Sequence, residues 1–467
     1  MVSKSSATKP QRKVTRWASY WTFLIAAIGS SIGLGNVWKF PYEMGAHGGG
    51  TFLLVYIPCV LLVALPVMMS ELLIGRYGGS NPVHGIRRIV NRERLSKLWP
   101  LMGWLGMLAG FLVFTYYSVV ASWILFYIMQ SATGSFVDVP AEIVQHSFSA
   151  LLRNTDQLLI WHTVFVLLVV MVLSRGLQSG IERALRWLLP AFIGLIAWLC
   201  VFASQVGDFD RALDFVFSVD ITAIDAELIV SALTQALFSL SVGLGALLIY
   251  GAYLDDKRPI ATAAVVVMVF DTAIALIMGL MIFSIVFAFG MQPDSGPGLI
   301  FETLPVAFSQ MASNSVLWST LFFVLLAVAA LTSAFSLLEP SVARVVEQFN
   351  ISRRPAAWIV GSTAWVGGVF SIYSFNDLQF SFYYFGEQRH NGTFDLLNIL
   401  TTHIMMPLTA LLATLFAGWT ISRRQSHQSL AIPVEFVYRL WRFASKIFAP
   451  LILALVLSMV MLFQGSV

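Results

Sequence analysis

The sequence predicts an all-α integral membrane protein of about eleven transmembrane helices, two of them broken at mid-depth. Three observations carry this reading. The 467-residue chain is 58% hydrophobic and only 11% charged, whereas soluble domains carry about 25% charged residues. Apolar runs long enough to cross a bilayer recur along its whole length. The basic residues are segregated, with 24 of the 28 Lys and Arg in the N-terminal arm and in every second loop.

Taken in order, residues 1–18 form a polar, basic arm without the apolar core of a cleaved signal peptide. Spans one to six fall at 19–44, 48–75, 100–132, 158–174, 185–206 and 228–252, and form the first part of a core, 19–252. Spans seven to ten, at 260–290, 316–345, 356–375 and 395–420, form its second part, 260–420, with an additional span eleven at 446–464. Between spans seven and eight, Gly296 to Gln310 is apolar and proline-containing, and is expected to fold back into the protein as a surface hairpin. The positive-inside rule puts the N-terminus inside, and an odd span number leaves the C-terminus outside. The acids Asp208, Asp210, Asp214, Asp220, Asp225 and Glu227 then cluster in an outer loop before span six.

Several function classes drop out. The net charge of +4 lies in loops and asks for no nucleic-acid partner. The sequence has no Gly-rich phosphate loop, zinc-ligand spacing or nucleophile elbow, so it does not read as an enzyme. His162 and His403 read as packed or interfacial histidines. Cys59 and Cys200 lie in apolar runs and read as buried free thiols.

Span one contains Gly29-Ser30-Ser31-Ile32-Gly33-Leu34-Gly35-Asn36. A spanning helix must satisfy its backbone internally, so a break is tolerated only inside protein or beside a cavity. Freed carbonyls there bind cations and freed amides bind carboxylates. Gly29 and Gly33 also have the spacing of a helix-packing motif. A packing face, however, needs no Asn36, Lys39 and Pro41 in series. Span six repeats the pattern from Gln235 to Gly245, with Ser239, Ser241, Gly243 and Gly245. Two such spans, five apart, fit a five-plus-five inverted repeat with one broken helix in each half.

Other mid-span polar groups point the same way. Thr332 and Ser333 in span eight offer hard oxygens suited to alkali cations, or simply bond back to their own helix. Asp271 in span seven is a carboxylate at mid-depth, costing about 2.5–3.5 kcal/mol on insertion scales, and is functional by default. Glu71 in span two is read the same way, or as a partner for freed backbone amides.

These residues resemble the neurotransmitter:sodium symporters, in the eleven-span form common in bacteria. The resemblance rests on Trp17, on G-S-S-I-G-L-G-N-V-W-K-F-P from Gly29 to Pro41, and on G-G-G-T-F from Gly48. It continues with E-L-L-I-G-R-Y-G-G from Glu71, Tyr116-Tyr117 with Trp123, Gln235 to Gly245, and Leu331-Thr332-Ser333. It implies two sodium ions. The first would be held by the Ser31 carbonyl, Asn36, Ser239 and Asp271, with the substrate carboxylate. The second would be held by the carbonyls of Gly29, Ile32 and Ala329 and the hydroxyls of Thr332 and Ser333. A substrate amino acid would lie among Ser30, Ser31, Gly33, Leu34, Gly35, Val113, Tyr117, Phe238, Ser239, Ser241, Leu244, Ser333 and Leu337. Tyr117 and the amides near Leu34 would meet its carboxylate, and Phe238 would lid it.

The gates depart from the familiar pattern. Lys39 stands where some members carry an arginine, and its expected partner falls at Asn398, with Asp395 one turn away. For the inner gate, Trp17, Tyr253 and Glu347 stand near the expected places, with Lys13 or Arg16 as the cation. Residues 376–393 form a long aromatic stretch without an assignment. The resemblance implies sodium-coupled uptake of a small neutral, apolar amino acid across a bacterial inner membrane by alternating access. A sensor or channel-like protein on the same fold, or a carrier of taurine or an ω-amino acid, is the alternative. No chloride requirement is expected, because Asp271 supplies a fixed negative charge. Proton counter-transport through that same carboxylate is left open, and no oligomeric state is implied.

Overall fold

The computed structural model describes residues 16–463 except 138, 256–257, 294–297, 312–313 and 385–386. Among the described residues, nine helices are long and apolar enough to cross a membrane: Gly50–Gly78, Pro100–Ala132, Thr155–Ser174, Leu177–Val206, Ile260–Ala288, Ser315–Phe349, Arg353–Tyr373, Gly392–Thr420 and Glu435–Met461. A tenth is the pair Tyr20–Ser31 and Gly35–Ala46, bent by 42° at its break. The shorter apolar helix Ala226–Ser239 is followed, after the turn 240–245, by Ala246–Ala252. Residues 1–15 of the arm lie outside the described residues.

Most boundaries agree with the hydrophobic pattern, and two are corrected. Span five begins at Leu177, ahead of 185, and span eleven at Glu435, ahead of 446. The basic turn holding Arg439 and Arg442 reads as loop by composition. It is an amphipathic helix that buries Tyr438 and Trp441, with Glu435 paired to Arg439 at 3.1 Å, four residues on, and to Arg423. The fold is also not wholly helical. Phe382–Tyr384 pairs antiparallel with Glu387–Arg389, Tyr383 opposite Gln388, within the stretch that had no assignment. Cys59 and Cys200 are free thiols, but half-buried.

The stretch after span seven does fold back, although residues 296–297 lie outside the described residues. Leu299–Thr303 and Leu304–Ser309 follow one another. Leu299, Ile300 and Phe301 are fully buried, and the Phe301 ring packs on Phe148 at 5.2 Å and Trp123 at 5.5 Å.

Spans eight and three occupy the centre, with 83% and 72% of their apolar windows buried, which puts Thr332, Ser333 and Tyr117 in the interior. Span two is welded to Ala246–Ala252. A Cβ on Gly75 would lie 2.0 Å from the Leu248 carbonyl oxygen, and one on Gly251 would lie 2.4 Å from that of Leu72. Such backbone contact is how small residues join helices in lipid, where apolar side chains gain nothing by leaving their surroundings. Gly194 has nothing within 4 Å of its Cβ position. Gly75→Val is therefore expected to abolish monodisperse folded protein in detergent, or to lower its Tm sharply, while Gly194→Ala leaves both unchanged.

Candidate functional site

The first helix stops at Ser31 because Ile32 leaves helical geometry at φ −73°, ψ 93°. Span eight presses on this break: a Cβ on Gly33 would lie 2.0 Å from Ser333 Oγ and 2.9 Å from Ser333 Cβ. The second break is built on left-handed backbone, with φ +54° at Ser241, +80° at Gly243 and +74° at Gly245. Only glycine adopts that region freely, so the two glycines specify the turn, and Ser241 is carried with them.

Side chains satisfy the freed backbone. Ser241 Oγ donates to the Ser30 carbonyl at 2.9 Å, and Ser333 Oγ donates to the same oxygen at 3.1 Å. Gln235 Nε2 donates at 2.8 Å to the Gly35 carbonyl, which also accepts from the Phe40 amide. The Gly243 amide donates to Glu71 Oε1 at 3.0 Å. Glu71 thus takes the amide-satisfying role offered from sequence, while its Oε2 is buried without a partner among the described residues.

Beside the breaks lies a buried carboxylate. Asp271 has no exposure and is held by neutral donors. Asn36 Nδ2 reaches its Oδ1 at 2.8 Å, and Ser239 Oγ reaches its Oδ2 at 2.6 Å. Asn36 Oδ1 is buried and has no partner among the described residues. Three of the four residues expected at the first sodium position therefore meet, with one oxygen to spare and a carboxylate that no cation among the described residues contacts. An isolated buried charge is costly, and a cation among these oxygens would offset that cost. Ser31 Oγ bonds back to Ala27 at 3.1 Å.

The second expected position is assembled less completely. Thr332 Oγ1 lies 3.1 Å from the Ile32 carbonyl and 2.9 Å from that of Ala329, so three of the proposed oxygens converge. Gly29 abuts Thr332, its Cβ position 3.7 Å from Thr332 Cβ. Ser333 Oγ is turned to Ser30 instead. Among the described residues no group of three His, Cys, Asp or Glu side chains could hold a metal; the oxygens gathered here are mostly neutral, the type that suits alkali ions.

Eleven of the thirteen residues expected around a substrate line one cavity of about 20 Å³. Val113, fully buried one turn from Tyr117, and Ser239, committed to Asp271, do not. That volume holds about one water, so in this conformation the side-chain pocket is collapsed. The Tyr117 hydroxyl donates to the Ala330 carbonyl at 3.2 Å and lies beside the Leu34 backbone.

Leu34, Tyr117 and Phe238 also line a second cavity, of about 590 Å³, and form the partition between the two. Lys39 enters this larger vestibule, its Nζ 5.1 Å from the Phe238 ring centroid. The expected partners of Lys39 are corrected. Its acid is Glu43, at 3.9 Å and one turn on, a pairing the four-residue spacing would have suggested. Asp395 instead caps its own helix, accepting from the Asn391 amide at 3.0 Å, and Asn398 lines the vestibule wall. Tyr384 and Arg389 of the hairpin line it too, with the Tyr384 hydroxyl hydrogen-bonded to His403 Nδ1.

At the opposite end Trp17 is 8% exposed. Its indole Nε1 donates to the Tyr250 carbonyl at 3.2 Å, and its ring lies 6.1 Å from that of Tyr253. Tyr253 donates to Glu339 at 2.7 Å, and Glu339 also holds Arg353. Glu347 is thus not the acid of this cluster. It lies eight residues further along the same helix, about 12 Å away, and accepts from Ser80 at 2.5 Å and Asn81 at 2.6 Å. Arg16 pairs with Asp255 at 3.7 Å; Lys13 lies outside the described residues.

Two interrupted helices enclosing a small cavity, buried oxygens grouped beside it, a vestibule above and packed aromatic rings below define a membrane carrier of the broken-helix type. The chain belongs to the sodium:neurotransmitter symporter family, whose sequence model matches residues 14–149 and 141–466. It is 33% identical over 419 residues to the uncharacterized sodium-dependent transporter YhdH of Bacillus subtilis, covering 89% of this chain and 90% of that protein. It is 27% identical over 390 residues to the sodium- and chloride-dependent taurine transporter of Bos taurus, covering 72% of this chain and 61% of that one. Among solved structures, that of MhsT in complex with L-phenylalanine superposes with a TM-score of 0.88 at 34% identity, covering 96% of this chain and 99% of that one.

If Thr332 and Ser333 serve a cation, Thr332→Ala/Ser333→Ala should stay monodisperse but lose the rise in Tm that sodium gives the wild type over choline. An unchanged sodium response would reduce both hydroxyls to helix back-bonding.

Proposed function

We propose that this chain is a sodium-coupled importer of a small neutral amino acid, working by alternating access. Its sodium dependence and amino-acid class are in keeping with the family and with the relatives named above. The observation that carries the reading is the contiguity of two things: a carboxylate with no cation in contact, held by Asn36 and Ser239, and a cavity ringed by the residues expected to hold a substrate. A cation and a zwitterion entering together would each supply what the other lacks. Sodium moving inward down the membrane potential gains about 2.3 kcal/mol per charge per 100 mV.

On this reading Ala226–Ser239 and Ala246–Ala252 are one broken span, the eleventh in the count. The N-terminus is inside, spans one to five and six to ten are inverted repeats, and the Trp17 end faces the cytoplasm. The conformation is then open toward the outside, with the vestibule leading to Phe238. Two sodium positions are proposed, at the two oxygen clusters.

Leu244, Leu337 and Phe238 make the side-chain end of the pocket apolar, which favours a neutral apolar amino acid once Phe238 or Leu337 gives way. Gly33 lies where amine carriers of this family bear Asp, and a side chain there would meet Ser333. This argues against biogenic amines. Taurine or an ω-amino acid is the second substrate class, favoured by the likeness to the taurine transporter. In proteoliposomes with an inward sodium gradient, labelled neutral amino acids should accumulate and compete with one another. Binding without accumulation would favour a sensor, and displacement by dopamine or serotonin above all twenty amino acids would overturn the substrate class.

Chloride should be dispensable although the taurine relative is named chloride-dependent, because Asp271 places a permanent negative charge beside the first sodium position. Uptake by the wild type should be the same in chloride and in gluconate. Asp271→Asn should lose uptake or become chloride-dependent. A wild type that stops in gluconate would refute the charge argument.

A further inference from the structure

A second, unrelated site lies on the outer surface of the bundle. An apolar groove of about 1000 Å³ runs between spans three, eight, nine and ten, walled by Leu105, Leu108, Phe111, Val345 and Leu412. Its one fully charged lining residue is Arg344, only 8% exposed. The Arg344 guanidinium lies 5.0 Å from the Trp104 ring centroid. Of its nitrogens only Nη1 has a hydrogen-bond partner among the described residues, the Nε2 of His84 at 2.7 Å; Nε is buried and unpaired. Leu101 and Trp104 are shared with an adjoining niche of about 240 Å³, where Arg87, Asn91 and Lys97 converge. Arg87 lies close enough for its charge to act on Arg344. The nearest carboxylate, Glu347, is already taken by Ser80, Asn81 and His84.

Three cations, two of them arginines, thus surround the head of a groove that is otherwise apolar and open to the bilayer. Among the described residues Glu347 is the acid whose charge acts on Arg344, and with its oxygens already shared by Ser80, Asn81 and His84 the three cations outnumber it. Arginine matches phosphate oxygens with two parallel N–H donors, and basic pockets between helices at the membrane surface suit anionic lipid head groups. A free phosphate would leave the groove empty, and a soluble anion would have no reason to adjoin it. We propose that this is a binding site for one anionic phospholipid, its phosphate and head group held by Arg344, Arg87 and Lys97 and one acyl chain laid along the groove. Such a lipid bridges the helix Pro82–Glu93 to the end of span eight, whose middle carries Thr332 and Ser333.

The test is native mass spectrometry of delipidated wild-type protein in detergent, titrated with phosphatidylglycerol, phosphatidylcholine, oleate and inorganic phosphate. One phosphatidylglycerol should be retained about tenfold more tightly than phosphatidylcholine, and neither oleate nor phosphate should displace it at equal concentration. Arg344→Gln should weaken retention about tenfold. Arg344 also holds His84, so the exposed pair Arg87→Gln/Lys97→Gln and the groove-blocking Leu108→Trp serve as variants that leave that contact intact, and each should lower retention several-fold. Arg423→Gln, at the start of the helix Arg423–Leu430 and outside the lining of groove and niche, should change nothing. Equal retention of the two phospholipids, displacement by oleate or phosphate, or wild-type retention in the Arg87/Lys97 and Leu108 variants would overturn the proposal.

Discussion

Backbone that leaves its helix inside a membrane has no water to fall back on, and the centre of this protein is arranged around that constraint. The Ser30 carbonyl, released where span one ends, accepts from Ser241 at the second break and from Ser333 on span eight. One oxygen therefore ties together three elements that are far apart in sequence. The Gly243 amide is answered in the same way by Glu71, and Gln235 adds a second donor to the Gly35 carbonyl, which already accepts from the Phe40 amide. Each unsatisfied group would cost several kcal/mol in hydrocarbon, so these side chains are as much a part of the fold as the apolar core. What remains unpaired after this accounting, Asn36 Oδ1 above all, is what a ligand has left to satisfy.

Electrostatics adds the second constraint. Asp271 is buried among neutral donors, and among the described residues its carboxylate has no cation in contact. Lys39, which shares the nearby vestibule with Arg389, is spent on Glu43 and on the face of Phe238. The site therefore holds its negative charge at the cavity and its positive charge one layer above, beyond the aromatic partition. A cation arriving at the cavity meets attraction without first displacing a salt bridge.

Much of this was legible in the sequence, for a physical reason. Breaking a helix in a membrane demands glycine and hydroxyl residues in a place where composition otherwise favours leucine, so Gly29 to Asn36 and Gln235 to Gly245 stand out as local patterns. Apolar runs marked most helix boundaries within a few residues. What escaped notice depends on pairings distant in sequence, or on which of several acids along one helix faces inward. Glu339 and Glu347 are two turns apart and almost alike by position, and only packing against Tyr253 and Arg353 distinguishes them. The start of span eleven was hidden because Arg439, Arg442 and Lys446 make the stretch read as a basic loop, while its helix depends on burying Tyr438 and Trp441. The hairpin near Tyr384 was unreadable because three-residue strands carry too little periodicity to register.

The glycine contacts between span two and Ala246–Ala252 have a mechanical meaning. With Gly75 against Leu248 and Gly251 against Leu72, backbone meets backbone at two points of the interface, which leaves no soft layer there in which one helix could slide past the other. The two behave as a single lever. Span two carries Pro58 and, directly after it, the widened turn Val60–Ala64, sites where helices bend at little cost. The lever thus has a stiff arm that includes Gly243 and its hold on Glu71, and a compliant joint several turns away. Displacement at the broken helix would pass to the proline-marked joint of a different span, where Tyr56, two residues before Pro58, sits beside Ser239 and Asp271.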